Sequence, residues 1–442
     1  RASRGEQPLW MGITLACMIG QIGTAGGGFG FGYSAVNSTG DSFSKIPWKS
    51  LPQGQNNIKD FIPVARIADM LEKPGETFDY DGQKLKYPDI KLVYWAGGNP
   101  FHHQMNLSKL RKATFKPDTI ITNEIWWNSL ARHSDIILPA TTSLERNDIS
   151  IKHWDQTISP MYKAIEPIGE SKSDYDIFSE IASKLNFKDK YTEGKDEDKW
   201  LRFIWDKARS NAKDEGFTLP EFDKFWKNGF QEVLSPKKQT ILLEQFRKDP
   251  EKNPISTPSG KIEIYSETVD SFNYKDCPGH PEWLEQKEWL GSNLTKQYPL
   301  QLISGQPHNR LHSQLDNGSE SQSYKILGRE PIKIHPQDAQ ARRLVDGDIV
   351  EVFNKRGKCL AGVIVSNEVM KGVVFLPVGA WYDPINDGEF CIHGNPNVLT
   401  EDIGTSSLAQ GPSAHSTLVE IKKYTKELPE INILHKPNIV NK

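Results

Sequence analysis

Two glycines followed by an asparagine and two histidines form a stretch of this sequence that could bind a ligand. In the stretch WAGGNPFHH, Gly97 and Gly98 follow a short apolar run, and Asn99, His102 and His103 come next. Glycines at the end of a strand let backbone N–H groups approach a large anion such as a pyrophosphate. Adjacent histidines alone do not indicate a metal site, because neighbouring side chains diverge. The pattern predicts an anion-binding loop, with a purely structural turn as the alternative.

A second polar cluster follows the apolar run at residues 135–138. The sequence PATTSLERND, residues 139–148, combines hydroxyls, carboxylates and an arginine. The planar guanidinium of Arg146 suits a bidentate phosphate contact, and a carboxylate can accept hydrogen bonds from a guanine edge. An ion pair within the loop is the alternative interpretation.

Two C-terminal segments are also rich in amides, hydroxyls and glycines. They are SGQPHNRLHSQ at 304–314 and HGNPNVLT at 393–400, the second followed by polar residues up to 411. Such side chains suit a bicyclic heterocycle with many donors and acceptors. Polar surface loops are the alternative. A serine hydrolase is disfavoured, because the sequence contains no G-x-S-x-G motif.

Composition excludes several classes of function. The chain has 442 residues, of which 37% are hydrophobic and 25% charged, and its formal net charge is -3. These values are typical of a globular protein and give no electrostatic reason to expect a nucleic-acid partner. Cys17, Cys277, Cys359 and Cys391 form no C-x-x-C pair, so no iron–sulfur or zinc motif is present.

One uncharged run, residues 10–32, is long enough to cross a membrane. It contains eight glycines and Gln21, and unpaired loop backbone in lipid costs several kcal/mol per group. We therefore predict no transmembrane segment but a buried helix over residues 9–20, followed by a loop.

The hydrophobic pattern predicts how these loops are positioned. Between residues 91 and 140 it alternates as β-α-β-α-β, with strands at 92–95, 119–122 and 135–138 and helices at 106–113 and 125–133. This order is typical of a doubly wound α/β domain, which binds ligands at the carboxyl ends of its strands. Those loops contain Gly97 and Asn123.

Farther along, the pattern is helical and then changes to period two. A charged helical segment is predicted over residues 186–248, with aromatic side chains at core spacing. After residue 291, strands are predicted at 301–304, 331–334, 348–353, 358–366 and 372–376, which indicates a small barrel or sandwich. A hairpin turn is expected at 354–357, with Gly357 supplying a positive φ.

Seven stretches in one order carry a resemblance to a known family. They are GEQPLWMGITLACMIGQIGTAGGGFGFGY, WAGGNPFHHQ, DIILPATTSLERNDI, TPSGKIEIYSE, RLHSQL, HPQDAQARRLVDGDIVEVFNKRGK and HGNPNVLTEDIGTSSLAQGP. Together they resemble the dimethyl sulfoxide, trimethylamine N-oxide and biotin sulfoxide reductases of the molybdopterin oxidoreductase superfamily.

The resemblance implies a fold and an activity. It implies an α/β chain with a Rossmann-like cofactor-binding domain (1–170), an α/β region with a charged helical insert (171–290) and a C-terminal double-psi β-barrel (291–442). It also implies a bis(molybdopterin guanine dinucleotide) molybdenum centre that receives oxygen from an S- or N-oxide. A nitrate reductase or formate dehydrogenase type of enzyme, or a non-catalytic cofactor-binding homologue, stays open.

Cofactor-binding residues are carried over by the motifs in which they lie. The resemblance places Gly97, Gly98, Asn99 and His103 against one dinucleotide, and Asn123, Arg146, Asp148 and Asp174 near its guanine end. It places Ser304, Gln306, Arg310, Leu311, His312 and Ser313 against the pterins and phosphates, and Asn397 and Gln410 over a pterin. Gln306 stands where the family pattern has a histidine, and an amide cannot titrate.

Other implied features lie outside these motifs. We expect the family's N-terminal portion, with the serine ligand of the metal, to precede Arg1, which itself borders the substrate funnel. We therefore expect no metal ligand and no catalysis in this polypeptide alone. The resemblance further implies an electron donor, such as a c-type cytochrome or a small thiol redox protein, and a periplasmic location, with a cytoplasmic one as the alternative.

Overall fold

The computed structural model of this chain describes residues 1–32, 48, 50–151, 157–233 and 240–437. The chain divides into two compact units, each assembled from segments that are separate in sequence. Unit 1 comprises residues 1–10, 61–137 and 265–442, and unit 2 comprises residues 11–60 and 138–264. The three predicted domain ranges stay a prediction.

The helices and strands of the described residues are as follows. The α-helices are α1 (Glu6–Met18), α2 (Ile67–Glu72), α3 (Pro100–His103), α4 (Leu107–Ala113), α5 (Asp174–Lys184), α6 (Lys188–Thr192), α7 (Glu197–Asp214), α8 (Phe222–Asn228), α9 (Glu244–Lys248), α10 (Glu267–Ser271), α11 (Ser319–Ser323) and α12 (Pro336–Ala341). The strands are β1 (Thr77–Tyr80), β2 (Gln83–Lys86), β3 (Leu92–Ala96), β4 (Thr119–Glu124), β5 (Ile136–Pro139), β6 (Asp148–Ser150), β7 (Thr157–Met161), β8 (Gln231–Glu232), β9 (Leu300–Ile303), β10 (Pro331–Ile334), β11 (Ile349–Phe353), β12 (Lys358–Val365), β13 (Val373–Phe375), β14 (Pro384–Ile385), β15 (Phe390–Cys391) and β16 (Leu418–Lys423). Short 3-10 helices lie at Val64–Arg66, Ala131–His133, Asn293–Lys296, Asn386–Gly388 and Pro396–Val398.

A closed barrel of six strands forms the core of unit 1. Its strands follow the order β10-β13-β9-β16-β11-β12, and β12 pairs with β10 to close the ring. Closure leaves no unpaired edge within the ring. Leu302, Ile332, Val350 and Val363 are fully buried inside this core, where each contributes roughly 1.5–3 kcal/mol. A mixed α/β fold with a closed C-terminal barrel confirms the predicted fold class.

The predicted barrel strands agree with the structure, and one detail of the hairpin is wrong. Each of the five predicted strands matches an observed one to within one residue at each end, whereas β16 was not predicted. Strands β11 and β12 are joined by the expected turn, in which Asn354 N donates to Gly357 O at 3.1 Å. Gly357 does not have the expected positive φ. Glycine is needed there because a Cβ would lie 2.7 Å from Glu389 O and 2.9 Å from Val398 O.

A second sheet has the strand order β3-β4-β5, with β3 and β4 parallel. Its strands and α4 agree with the predicted elements. The prediction of a helix at 125–133 is wrong, because the only helical residues in this segment are Ala131–His133, which form a 3-10 helix. The carboxylate of Glu124 accepts from Ile125 N and from Asn128 Nδ2, and such local side-chain bonds compete with helix formation.

Helix α1 is confirmed near the predicted position, but its predicted burial is wrong. Its side chains include Leu15 and Met18, which are 53% and 74% exposed. None of the helices among the described residues is both long enough and apolar enough to span a membrane.

Unit 2 contains an antiparallel sheet of order β6-β7-β8 and the predicted helical segment. The apolar stripe of α7 packs on α8, and the rings of Trp205 and Phe225 stack at a centroid distance of 3.8 Å. These aromatic side chains are core residues, as predicted. Residues 234–239 of the predicted helical segment lie outside the described residues.

Candidate cofactor site

The glycine loop lies at the carboxyl end of β3. Gly97 and Gly98 have φ angles of +86° and +80°, in the left-handed region that favours glycine. A Cβ added at either position would meet no atom within 4 Å. Two backbone units of unusual conformation therefore face open space, which is the arrangement that the anion-binding prediction requires.

Asn99 joins this loop to the polar segment that follows β9. Its Oδ1 accepts from Phe101 N at 3.1 Å and so caps α3, which begins with Pro100. Its Nδ2 lies 3.4 Å from Ser313 Oγ. The amide thus fixes the short helix and contacts a second predicted site residue.

Histidine side chains make a further contact between these two segments. His312 has a φ of +55°, and its backbone N donates to Gln306 Oε1 at 3.2 Å. Its Nδ1 lies 2.9 Å from Gln306 Nε2 and 3.2 Å from His102 Nε2. Gln306 therefore holds the loop conformation through both ends of its amide.

A third segment packs against the same short helix. Asn395 Oδ1 caps the Pro396–Val398 turn, and its Nδ2 donates to Phe101 O at 2.9 Å. Asn397 Nδ2 donates to His102 O at 2.6 Å. Three separately predicted segments thus meet around α3.

Several buried polar atoms at this junction have no hydrogen-bond partner among the described residues. They include His102 Nδ1, Ser304 Oγ and Asn397 Oδ1. An unsatisfied buried polar group costs about 1–3 kcal/mol. These unpartnered atoms, on loops that meet around α3, and the open glycine backbone fit a ligand with many polar atoms, such as a pterin dinucleotide.

Burial lowers the pKa of His102, His103 and His415, which favours their neutral forms. Burial, and next the neighbouring His103, lower the pKa of His102 to about 3. Burial and the charge of Arg1 lower the pKa of His103, and the same two causes lower that of His415 to about 4. The ring Nδ1 of His415 accepts from the backbone N–H of Ser304 at 3.4 Å. The backbone N–H of His415 donates to Arg1 O at 2.8 Å. The positive charge of Arg1 thus acts on this site and favours an anionic ligand.

Other predicted residues of unit 1 lie in different surroundings. Asn123, at the end of β4, is buried, and its Oδ1 accepts from Tyr94 OH at 2.8 Å. Gln410 Nε2 donates to Asp79 O at 2.9 Å. Leu311 is 60% exposed, whereas the side chain of Arg310 is 2% exposed and pairs with acidic groups of the chain.

One of the predicted guanine-end residues of unit 2, Arg146, lines a polar cavity, whereas Asp148 and Asp174 do not. Arg146 forms an ion pair with Asp148, the alternative that the sequence left open. Arg146 also lines a cavity of about 550 Å³ together with Lys163 and Ser173. Ser173 caps α5, whose first residue is Asp174. The cavity has the mixed charges and helix start that suit a nucleotide.

Sequence reasoning left Asn395 and Trp381 out of the site. Asn395 repeats at 395–396 the Asn-Pro pair of 99–100, and both asparagines cap a short helical turn. That repeat is a signal that could have identified it. Trp381 Nε1 donates to Ser313 O at 2.8 Å, a long-range contact with no local signal. Within the described ranges, no group of three or more His, Cys, Asp or Glu side chains could hold a metal ion.

Two sequence families match the chain. Residues 1–184 match "Molybdopterin oxidoreductase", and residues 300–418 match "Molydopterin dinucleotide binding domain". The chain belongs to the molybdopterin oxidoreductase family. The second match includes β9 and the loops at Ser313 and Asn397, so part of the site lies in a recognised dinucleotide-binding domain.

Curated molybdopterin oxidoreductases are similar over nearly all of this chain. It is 45% identical to a trimethylamine-N-oxide reductase of Haemophilus influenzae, covering 100% of this chain and 56% of the relative. It is 44% identical to a dimethyl sulfoxide/trimethylamine N-oxide reductase of Rhodobacter capsulatus (96% and 54%) and 43% identical to a biotin sulfoxide reductase of Cereibacter sphaeroides (96% and 57%). The chain spans about half the length of the curated relatives it matches.

A solved structure shares the fold. The acetylene hydratase from Pelobacter acetylenicus superposes with a TM-score of 0.60 at 19% sequence identity, covering 82% of this chain and 46% of that one. This likeness supports the molybdopterin oxidoreductase fold and carries no argument about the reaction.

Proposed function

We propose that the complete protein is a molybdenum-dependent reductase of S-oxides or N-oxides, acting in anaerobic respiration. Its reaction takes two electrons and two protons, removes the oxygen of the oxide as water and leaves a sulfide or an amine. The names of the relatives at 43–45% identity support this class of substrate. The bound cofactor supplies the electron chemistry, and the protein supplies binding and orientation.

The convergence of three predicted loops around α3 is the observation that carries the proposal. Gly97 and Gly98 offer backbone without side chains, and Asn397 and Ser304, on the other two loops, offer unpartnered buried oxygens. We infer a bis(molybdopterin guanine dinucleotide) cofactor, with Asn99, His103, Gln306, His312, Ser313 and Gln410 completing the pterin and phosphate contacts. Asn123, Arg146, Asp148 and Asp174 would form the guanine end, with the metal ligand outside this chain.

The proposal extends to the partners and location of the complete protein. A small S- or N-oxide would be the substrate, with Arg1 at the edge of its access path. Electrons would come from a c-type cytochrome or a small thiol redox protein, and the location would be periplasmic, with the cytoplasm as the alternative. Fractionation of the source cells, with activity assayed in each fraction, distinguishes these locations.

Purification of the complete protein tests the proposal. We expect bound molybdenum, release of GMP on acid hydrolysis, and reduction of trimethylamine N-oxide, dimethyl sulfoxide or biotin sulfoxide by a reduced viologen dye. Molybdenum without turnover of any oxide would indicate a non-catalytic homologue. Turnover of nitrate or formate instead would place the protein in another branch of the family. Absence of molybdenum from protein made with active cofactor synthesis would contradict the proposal.

A further inference from the structure

Four charged side chains are enclosed together beside the second loop of the site. They are Arg310, Asp316, Lys325 and Glu330, called here the charge cluster, and their side chains are at most 2% exposed. Two are positive and two negative, so the cluster is balanced. Charges are almost never fully buried unless they are paired.

Ion-pair contacts of 2.6–3.6 Å link the four side chains of the cluster. Lys325 Nζ bridges two carboxylates, lying 2.8 Å from Asp316 Oδ1 and 2.6 Å from Glu330 Oε2. Arg310 Nη2 lies 3.0 Å from Glu330 Oε1, and Arg310 Nε lies 3.6 Å from Asp316 Oδ1. Nη2 of the Arg310 guanidinium is therefore engaged by groups of its own chain, whereas Nε has an ion-pair contact but no hydrogen-bond partner among the described residues.

One carboxylate oxygen of the charge cluster is linked to the loop by hydrogen bonds through Trp381. Asp316 Oδ2 accepts from Trp381 N at 2.8 Å, and the indole of Trp381 donates to Ser313 O. Arg310 Nη2 also donates to Val378 O at 3.1 Å. The segment with Val378 and Trp381 is thereby held from both ends against the RLHS loop.

A glycine permits this close approach. Gly379 has a φ of +106°, and a Cβ there would lie 2.0 Å from His312 O. No side chain fits between the two backbones. The position of His312 and Ser313 thus depends on where the 378–381 segment lies, and the charge cluster sets that position.

We propose that Arg310 and Lys325 are positioning residues, which hold His312 and Ser313 in the conformation that binds the cofactor, and do not themselves contact it. This inference rests on the proposed cofactor site. Burying ions is no more stabilising than packing apolar side chains of similar volume. The cluster therefore contributes directional bonds that fix one loop conformation, which an apolar core does not.

The test replaces the bridging lysine in the complete protein and compares it with a matched lysine. Lys109 also bridges two carboxylates, at 2.6 Å from both Asp69 Oδ1 and Asp402 Oδ2. We expect Lys325→Met to lose molybdenum roughly tenfold faster than wild type, and Lys109→Met to resemble wild type, because the residues behind a ligand shell typically alter metal affinity by 10–100-fold. Each protein is measured at the same interval below its own Tm.

A local readout separates positioning from general stability. Hydrogen–deuterium exchange should become faster in the peptide that contains His312 and Ser313 in Lys325→Met, with unchanged protection in β11 and β16. If Lys325→Met does not fold, the double variant Asp316→Asn with Lys325→Met decides, because it leaves no unpaired charge. It should fold and show the same fast molybdenum loss.

The results distinguish failure of the inference from failure of the proposed function. Wild-type retention of molybdenum and unchanged exchange in the folded single or double variant would overturn the positioning role while leaving the function intact. Equal losses in Lys109→Met would also overturn it. A wild-type protein that never contains molybdenum would contradict the proposed function itself.

Discussion

Gly97 and Gly98 hold backbone angles that most residues avoid, although nothing in the chain crowds them. Glycine is usually retained in such angles because a turn or a close approach requires it. The space next to both residues is open, so it leaves room for the proposed cofactor to approach their backbone. The unpartnered Oδ1 of Asn397 and Oγ of Ser304 offer acceptors for the same proposed ligand.

Replacing Gly98 with valine tests whether the cofactor approaches the backbone at this residue. The left-handed angle costs a branched side chain about 1–2 kcal/mol of unfolding free energy, and the side chain would occupy the open space. We expect molybdenum content of the complete protein to fall severalfold. Gly347→Val is the matched control, because Gly347 has a φ of +83° and an equally open surrounding. A similar loss of metal in both variants would assign the effect to strain alone.

The sequence could identify residues whose role is local but not those that act through distant contacts. Asn99 and the glycines follow one another at the end of a predicted strand, and the structure shows the expected turn and cap. Arg310 carries the charge typical of a phosphate ligand, yet its partners Glu330 and Asp316 become neighbours only when the barrel forms. No local pattern indicates that its charge is already neutralised.

At the scale of elements, the hydrophobic period was sufficient to predict five of the six barrel strands, but it was insufficient for β16 and for the 125–133 segment. Strands such as β11 are apolar over most of their length, which is typical of a buried strand. In the segment after β4, Glu124 and Asn128 form bonds with nearby backbone and side-chain groups. Those polar contacts stabilise a turn, and propensity alone does not reveal them.

The hairpin between β11 and β12 yields a stability prediction. Gly357→Ala would place a Cβ at 2.7 Å from Glu389 O and 2.9 Å from Val398 O, and overpacking of this kind costs about 1–3 kcal/mol. Urea unfolding should show a loss in that range. The control is Gly411→Ala, whose Cβ would meet only side-chain atoms of Thr405, at 3.5 Å and beyond. Equal stability of the two variants would show that the turn can shift to accept the methyl group.

At the scale of the whole molecule, buried histidines make stability depend on pH. Burial, and next the charge of Lys325, lower the pKa of His393 to about 3, whereas an unfolded histidine titrates near pH 6.5. As the pH falls below about 6.5, His393 binds a proton in the unfolded chain but not in the folded chain. Stability is therefore present in full above that pH and is lost as the pH falls toward 3.

Unfolding measured at pH 7 and pH 5 tests this dependence. At pH 5 the penalty for His393 is about 2 kcal/mol. Between pH 7 and pH 5, the free energy of unfolding of His393→Asn should therefore fall by about 2 kcal/mol less than that of wild type. The carboxylate of Asp316, whose pKa is lowered to about 2, stays ionised over this interval. The same pH dependence in variant and wild type would contradict the assignment to His393.

We propose that the loops at residues 97–103, 304–313 and 393–410 form one cofactor site. Hydrogen–deuterium exchange of the complete protein, prepared with and without active cofactor synthesis, measures whether they bind one ligand. We expect the cofactor to protect peptides from all three loops together, while protection of β11 and β16 stays unchanged. Protection confined to one loop, or to none of them in protein that contains molybdenum, would contradict it.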